Sequence, residues 1–301
     1  MKIVLFGRGG QVGRELEQVL PSLGQLAAFG RDEADLEHPD AIRALLRRES
    51  PDIVVNAAAY TAVDKAESEP EHARQINADT VGVIATETAQ LGGWLVHYST
   101  DYVFDGAKSD SYVETDPTGP LGVYGATKLA GEQLIAASGC QHLVFRTSWV
   151  YAAHGSSFIH TILRLARERE ELSVVDDQIG APTSAARIAT VTTTAIRRLA
   201  GGEGELPASG IYHLTASGAT SWHGLAELVV DAARTAGLPM RVTSDRIRPI
   251  PSSAWPQAAR RPANSRLDTA RLRCTFDLTL PPWQDDVRQV VATVIHQATR
   301  E

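Results

Sequence analysis

The sequence predicts an α/β protein with a doubly wound parallel sheet followed by a smaller C-terminal α/β domain. Through the first half of the 301-residue chain, short apolar or β-branched runs alternate with longer amphipathic stretches, a pattern typical of βαβ units. The chain is also long enough for two domains of ordinary size. We therefore expect residues 1–150 to form the first domain and residues 151–301 mainly the second, with some later segments returning to the first.

The strands predicted in the first half are short runs that are apolar almost throughout, as expected for strands buried on both faces of a parallel sheet. Right-handed crossovers through the intervening helices would make the sheet doubly wound. Strands are expected at 3–6, 26–29, 52–55, 94–98 and 142–145, and helices at 10–20, 39–48, 70–91 and 124–137.

The second half has a less regular pattern. Between its helices, the stretch 246–265 is rich in proline and arginine, which excludes a long helix and predicts a surface loop. The glycines at 201–204 predict a solvated turn. Helices are expected at 156–170, 185–199, 221–236 and 283–299.

Composition limits the classes of partner. A net charge of −7 and a pI near 5.7 argue against a nucleic-acid-binding protein, which usually carries a basic face. Cys140 and Cys274 are far apart and form no disulfide framework, as is usual in a reducing cytosol. The apolar N-terminal run is too short for a signal peptide, and no stretch approaches the ~20 apolar residues that span a bilayer. We expect a cytoplasmic protein without a membrane partner.

Glycines after the first predicted strand indicate nucleotide binding. Gly7, Gly10 and Gly13 open the first helix, and Gly9 adds another residue without a side chain. Glycine there permits a tight turn and close approach of a pyrophosphate to the helix N-terminus. An ordinary strand–helix turn would also contain glycine, so the preference for a Rossmann-like dinucleotide site depends on its place in the βαβ pattern.

The residues after the second strand bear on the choice of nicotinamide cofactor. An acid there binds the ribose 2′-hydroxyl of NADH, whereas an arginine neutralises the 2′-phosphate of NADPH. This strand is followed by Arg31-Asp32 and then by Asp35-Leu36. Arg31 favours NADPH, to which Arg8 could add a second positive charge. Asp32 keeps NADH open, and Arg31 could also be a solvated loop charge.

Tyr124 and Lys128 are the strongest candidates for catalysis. Residues i and i+4 share a helix face, so the ammonium would lie beside the phenol. Lowering a phenol pKa from about 10 to about 7 requires ~4 kcal/mol of differential interaction, which an adjacent ammonium helps to supply. Thr100 follows the fourth strand, at the edge where open sheets bind ligands. A surface Tyr–Lys pair and an ordinary threonine are the alternatives.

These residues, together with Asn56-Ala57-Ala58-Ala59, resemble the extended short-chain dehydrogenase/reductases. Within that superfamily the chain is similar to the dTDP-4-dehydrorhamnose reductase family over nearly its whole length. The further matching stretches are Gly10–Gly13, Tyr60–Glu67, Ser99–Gly106, Arg146–Tyr151, Asp177–Thr183 and Arg260–Ser265.

The resemblance implies reduction of the C4 keto group of dTDP-4-dehydro-L-rhamnose by NADPH, which produces dTDP-L-rhamnose for cell-surface polysaccharide. It implies that Tyr124 protonates the alkoxide, that Lys128 holds the nicotinamide ribose and lowers the tyrosine pKa, and that Thr100 binds the carbonyl oxygen. The residues it places at the cofactor are Gly7, Gly10, Gln11, Val12, Gly13, Arg31, Asp35, Leu36, Ala57, Ala58, Tyr60 and Lys128. At the sugar it places Asp101, Tyr102 and Trp149.

Arginines near the C-terminus are candidates for the sugar-nucleotide diphosphate. The glycine turn would already hold the cofactor pyrophosphate, so a chain of net charge −7 needs a second anion site. Arg260 and Arg261 precede Pro262, which stiffens the loop, and Asn264 adds a neutral donor. Two solvated loop arginines are the alternative.

Some family members dimerise around a magnesium ion held by glutamates. Glu15 stands where one such ligand would be, but the segment after Thr183 has no acid where its partner is expected. A homodimer therefore stays open, and Mg²⁺ is doubtful. The histidines show no metal-ligand spacing, so no catalytic metal is expected.

Two other functions are compatible with the same fold. One is a non-catalytic regulatory subunit, like the β subunit of methionine adenosyltransferase, although such a protein would not need a Thr–Tyr–Lys set. The other is a nucleotide-sugar 4,6-dehydratase or epimerase. Dehydratases place Asp-Glu after the threonine, whereas Thr100 is followed by Asp101-Tyr102, and Arg31 fits the NAD of an epimerase less well.

Overall fold

The structure is a computed structural model that describes residues 1–201 and 207–298. Residues 202–204 of the predicted glycine turn and residue 299 of the predicted last helix lie outside the described residues. The strands are β1 (Lys2–Phe6), β2 (Gln25–Phe29), β3 (Ile53–Asn56), β4 (Trp94–Thr100), β5 (Gln141–Thr147), β6 (Val150–Tyr151), β7 (Leu172–Val175), β8 (Ile179–Gly180), β9 (Thr183–Ser184), β10 (Gly210–His213), β11 (Thr220–Ser221) and β12 (Ile247–Ile250).

The predicted helices are present, but the short helices Val63–Ala66 and Ala270–Phe276 were not predicted. The run predicted over 70–91 is irregular, since the π-helical turn Gln75–Asp79 joins two α-helical pieces. The helices are α1 (Gln11–Val19), α2 (Pro39–Glu49), α3 (Val63–Ala66), α4 (Pro70–Arg74), α5 (Thr80–Gln90), α6 (Val123–Ala137), α7 (Phe158–Glu168), α8 (Ala185–Leu199), α9 (Trp222–Thr235), α10 (Ala270–Phe276) and α11 (Trp283–Ala298).

A six-stranded parallel sheet in the order β10-β5-β4-β3-β1-β2 confirms the predicted fold class. Both of its faces are buried, and residues of β1 alternate between them. Ile3 and Leu5 pack toward α1 and α8, whereas Val4 and Phe6 pack toward α2 and α5. The strand order reverses between β1 and β3, and an open sheet binds ligands at the carboxyl ends of such strands.

Segments from the second half complete the first core. The strand β10 adds to the sheet beside β5, and α8 and α10 contribute Ile188 and Leu272 to the cluster that covers one face. The sequence prediction missed β10, because a run of four residues has too little periodicity to separate it from its surroundings.

The smaller C-terminal region packs α7, α9 and α11 around a second apolar cluster. Here the prediction of a surface loop over 246–265 is wrong in part. Ile247 is buried, and β12 pairs in parallel with β7. Pro249 is tolerated because a two-stranded sheet leaves each strand with an edge that needs no amide donor. Within 1–201 and 207–298, every helix is too short or too polar to cross a membrane.

Candidate active site

Only glycine fits at one position in the turn after β1 and at one position in the first turn of α1. Gly7 has a φ of +83°, and a Cβ there would lie 2.7 Å from the backbone nitrogen of Ala58. A Cβ on Gly13 would lie 1.9 Å from the Gly7 carbonyl oxygen. These contacts bring the start of α1 directly over the ends of β1 and β3, where a larger residue would force the backbones apart.

The outer side of the same turn is open. A Cβ on Gly9 would meet nothing within 4 Å, and Gly10 caps α1 without a side-chain hydrogen bond. The first helical residues, Gln11 and Val12, therefore present backbone N–H groups that lack partners within the helix. Among the described residues, the buried Gln11 Oε1 also has no hydrogen-bond partner, and as an acceptor it would pair with a donor and not with a phosphate oxygen. The open backbone and the N–H groups at the helix N-terminus together fit the pyrophosphate of a dinucleotide.

The segment after β2 carries charges of both signs. We call three of its residues, together with Arg8 from the turn after β1, the adenosine corner; the three are Arg31, Asp35 and Glu37. The Arg31 side chain is 71% exposed; its Nε lies 3.2 Å from Asp35 Oδ2, and its Nη2 pairs with Glu37. The Nη2 of Arg8 lies 2.9 Å from a carboxylate oxygen of Glu33. Both candidate cations for a 2′-phosphate are thus already paired with carboxylates.

Other predicted cofactor residues line the ends of β1 and β3. Ala57 donates a backbone hydrogen bond to the Phe6 carbonyl at 3.0 Å, and the Ala58 N–H donates to Asn56 Oδ1 at 3.1 Å. The Tyr60 hydroxyl donates to Glu69 at 2.8 Å. Leu36 is buried in the core beneath the adenosine corner.

The structure brings Thr100, Tyr124 and Lys128 to one place, and we call these residues with His97 the catalytic corner. Thr100 ends β4, and Tyr124 lies one turn before Lys128 on α6. The Thr100 hydroxyl is hydrogen-bonded to Tyr124. The Lys128 Nζ donates to the Tyr98 carbonyl at 2.6 Å and lies 3.2 Å from His97 Nε2.

Burial governs the ionisation of these groups. It raises the pKa of Tyr124 to about 12, against the opposite effect of the Thr100 hydrogen bond. It lowers the pKa of Lys128 to about 8, against the opposing effect of the Glu132 carboxylate. The Tyr124 phenol therefore holds its proton at neutral pH, while the Lys128 ammonium loses a proton more easily than an exposed lysine does. This pair keeps a donor and a titratable amine one helical turn apart.

A small cavity lies beside Tyr124. Tyr102 packs edge-on against Tyr124, with ring centroids 5.7 Å apart at 81°, and Arg260 also lines the cavity. Asp101 is only 3% exposed, and its Oδ2 has no hydrogen-bond partner in the part of the chain that the structure describes. Burial raises the pKa of Asp101 to about 7, against hydrogen bonds from Ser265 and Thr100.

The predicted diphosphate residues differ in their surroundings. Arg260 is exposed, whereas Arg261 pairs with both carboxylate oxygens of Asp64 at 2.6 Å and is 12% exposed. The Asn264 amide donates to the carbonyls of Lys108 and Asp110 at 2.7 and 2.8 Å. Asn264 thus connects two loops, and Arg260 is an exposed arginine that lines the cavity.

Trp149 lies at the junction of the two regions. Its φ of +49° is unusual for a large side chain, and its ring stacks on Trp222 with centroids 3.6 Å apart at 8°. A Cβ on Gly180 would lie 2.6 Å from the Trp149 ring. Close packing on both sides therefore holds the strained backbone in place.

Glu15, the candidate metal ligand, contacts His154 Nε2 at 3.1 Å. Among residues 1–201 and 207–298, no group of three or more His, Cys, Asp or Glu side chains is arranged to hold a metal ion. These residues give no support to a bridging Mg²⁺, which the sequence had put in doubt.

Sequence reasoning missed several neighbours of the site, namely His97, Asp64, Gly125 and Trp222. A Cβ on Gly125 would lie 2.1 Å from the Tyr102 carbonyl, so glycine beside Tyr124 is what lets α6 approach the end of β4. The Tyr124-Gly125 pair was a readable signal. The contacts of His97 and Asp64 left no such signal in the sequence, because their partners are remote in sequence.

Comparison with known proteins settles the family. A family model described as the RmlD substrate binding domain matches residues 1–296. The dTDP-4-dehydrorhamnose reductase of Burkholderia thailandensis is 49% identical over 99% of this chain and 100% of its own length. The chain belongs to the dTDP-4-dehydrorhamnose reductase family.

Other members of the family agree in sequence and structure. The Escherichia coli K12 dTDP-4-dehydrorhamnose reductase is 49% identical over 97% of each chain. The crystal structure of the Bacillus anthracis dTDP-4-dehydrorhamnose reductase, in complex with NADP, has a TM-score of 0.86 at 32% identity and covers 96% of this chain and 98% of that one. The family resemblance seen in the sequence is therefore confirmed.

Proposed function

We propose that this chain reduces the C4 keto group of dTDP-4-dehydro-L-rhamnose to give dTDP-L-rhamnose, the last step of dTDP-rhamnose biosynthesis, with NADPH as its preferred cofactor. The observation that carries the proposal is the meeting of Thr100, Tyr124 and Lys128 at the carboxyl edge of the sheet, beside the glycine turn. Membership of the reductase family supports the substrate, and the NADP of the Bacillus anthracis relative supports a nicotinamide cofactor.

Tyr124 is the proton donor in this proposal. Its phenol remains protonated at neutral pH, and it lies within hydrogen-bonding reach of Thr100, whose hydroxyl would share the same C4 oxygen. As that oxygen gains negative charge, Tyr124 transfers its proton to it. The Lys128 ammonium then stabilises the phenolate left behind, because opposite charges attract strongly where water is excluded.

The chain's own residues define where a dinucleotide would be held. The turn from Gly7 to Gly13 and the N-terminus of α1 would bind the pyrophosphate, and Arg31 would face the 2′-phosphate. Lys128 would hold the nicotinamide ribose. The bound cofactor supplies the hydride that reduces C4.

The sugar nucleotide would lie over the cavity between Tyr102, Tyr124 and Arg260. A sugar ring is apolar on its faces and polar at its edges, so the aromatic rings and the free Oδ2 of the Asp101 carboxyl, whose Oδ1 accepts from Thr100, suit it. Arg260 would bind the diphosphate, while Arg261 would act through Tyr102 and Asp64. Direct substrate contacts of Trp149 and Asn264, and assembly as a homodimer, stay predictions.

NADPH consumption tests the proposal. The 4-keto sugar nucleotide is generated from dTDP-glucose by a dehydratase and an epimerase, and the NADPH absorbance is followed after this protein is added. We expect stoichiometric oxidation of NADPH and formation of dTDP-L-rhamnose. Cofactor binding without oxidation would indicate a regulatory subunit, and conversion of dTDP-glucose by this chain alone would indicate a dehydratase or epimerase.

A further inference from the structure

His97 lies behind the proposed catalytic lysine, in the interior of the sheet. It is fully buried in β4, opposite Asn56 of β3. Its Nε2 is 3.2 Å from Lys128 Nζ, and its Nδ1 is 3.2 Å from Asn56 Nδ2. Asn56, His97 and Lys128 thus form a continuous polar chain through an otherwise apolar core.

The positions of the hydrogen atoms along the Asn56–His97–Lys128 series follow from the hydrogen bond at Asn56. Asn56 Oδ1 accepts from the Ala58 N–H at 3.1 Å, so the side-chain amide nitrogen of Asn56 faces the ring and donates to Nδ1. A neutral imidazole that accepts at Nδ1 carries its proton on Nε2. That N–H points at Lys128 Nζ.

This arrangement discriminates between the two forms of Lys128. A neutral amine accepts the hydrogen bond from Nε2–H while it donates to the Tyr98 carbonyl at 2.6 Å. An ammonium at Lys128 would place one of its N–H groups against the Nε2–H of His97. The opposite tautomer would remove that conflict but would leave the Asn56 amide facing a ring N–H, and unpaired buried polar groups are costly.

His97 acts here as a neutral ring. Burial, together with the nearby charge of Lys128, holds the pKa of His97 well below its ordinary value. The acid that faces Lys128 from its own helix is Glu132, and Arg146 of β5 holds both oxygens of that carboxylate at 2.9 and 2.6 Å. From β4, the groups that face Lys128 are His97 and the carbonyl of Tyr98.

We propose that His97 is a positioning residue for the reduction, which holds Lys128 Nζ in place and whose tautomer, set by Asn56, determines how readily that nitrogen gains its third proton. The inference rests on the proposed role of Lys128. In this proposal, Asn56 on β3 and His97 on β4 control the charge of Lys128 on α6.

Two variants test the proposal through the pH dependence of kcat/KM. In His97→Gln, the side-chain carbonyl accepts from the ammonium without any tautomer requirement. We expect the alkaline limb of the profile, which the loss of the Lys128 proton sets, to move upward by about one pH unit, a tenfold change in proton affinity.

Asn56→Asp tests the same coupling from a residue that does not touch Lys128. The introduced carboxylate still accepts from Ala58 but also accepts from Nδ1–H, which reverses the tautomer and turns Nε2 into an acceptor. The alkaline limb should again move upward. In the background of His97→Leu, which has no ring to carry the effect, the shift should be at least halved.

Val96→Ala is the matched control, since Val96 is a buried neighbour on β4 outside the polar chain. This variant should lower the free energy of unfolding and leave the alkaline limb of the kcat/KM profile unchanged. The inference is overturned if His97→Gln and Asn56→Asp behave as Val96→Ala does, and if one of them fails to fold, the other decides. Full activity in Lys128→Met would instead refute the proposed function itself.

Discussion

The catalytic corner and the adenosine corner both consist of charged and polar side chains, but they differ in solvent access. In the catalytic corner Lys128 is 2% exposed and His97 fully buried, and each polar atom has a fixed partner. In the adenosine corner Arg31 is 71% exposed and shares its guanidinium between Asp35 and Glu37. Polar groups therefore have rigid, buried geometry in one place and exposed, exchangeable ion pairs in the other.

The difference indicates where single substitutions have large effects. Exposed ion pairs contribute about 0–1 kcal/mol because water and salt screen them, whereas leaving a buried polar group without its hydrogen-bond partner costs about 1–3 kcal/mol. We therefore expect substitutions in the catalytic corner to have larger effects than substitutions in the adenosine corner.

The largest effect is expected for Tyr124→Phe. Loss of the positioned proton donor should reduce kcat by about 10²–10⁴-fold and leave NADPH affinity nearly unchanged, because the ring still packs against Tyr102. Steady-state kinetics and a cofactor fluorescence titration measure the two quantities. Retention of most of the rate would remove Tyr124 from the role of donor.

Asp101→Asn should change stability in a pH-dependent way. The folded-state pKa of Asp101, about 7, lies above its ordinary value. Its contribution to stability is therefore fully present below about pH 4 and is lost as the pH rises through 7. Relative to the wild type, the variant should gain about 2–4 kcal/mol between pH 4 and pH 8.

Urea unfolding at several pH values measures this gain. Asp105→Asn is the control, because the backbone N–H of Ala107 and the Tyr112 hydroxyl lower the pKa of Asp105. Its contribution is lost as the pH falls, so the control should show a slope of the opposite sign. Parallel stability curves for Asp101→Asn and the wild type would contradict the burial argument.

Arg260→Ala and Arg261→Ala test which of the two corners the diphosphate site resembles. Arg260→Ala should raise the KM for the sugar nucleotide at least tenfold, or ~1.4 kcal/mol, without loss of stability. Arg261→Ala should also lower the Tm, because Arg261 holds the pKa of Asp64 down to about 2 and that carboxylate would lose its partner. If neither variant changes the KM, the diphosphate binds elsewhere.

The smallest effect is expected in the adenosine corner. Arg31→Ala should weaken NADPH binding by about tenfold, the low end for a charge-assisted contact, and leave NADH binding nearly unchanged. Glu37→Gln, which removes a competing carboxylate, should strengthen NADPH binding severalfold. Fluorescence titrations measure both, with Arg164→Ala, a remote surface residue paired with Glu168, as control. Equal losses for the two cofactors would mean that Arg31 acts through the loop.

The elements that sequence reasoning predicted well are those with a strong local pattern. The strands β1 to β5 and the helix α8, Ala185–Leu199, appear where apolar runs or helical periodicity placed them. The strand β12 was missed because the prolines of the stretch 246–265 indicated a loop, whereas the position of β12 at a sheet edge makes Pro249 acceptable. Of the site, the glycine turn and the Tyr124–Lys128 spacing were readable, since both depend on neighbours within one turn.

The sequence by itself determined the α/β alternation, the place of a dinucleotide turn and a phenol–amine pair on one helix face, because backbone sterics and the helical repeat specify them locally. Only the tertiary structure decided which charges are already neutralised. Arg261 meets Asp64 across 197 positions, and Lys128 meets His97 across 31. Burial and pairing at such separations depend on how the strands order themselves in the sheet, and the pKa values of the site follow from that packing.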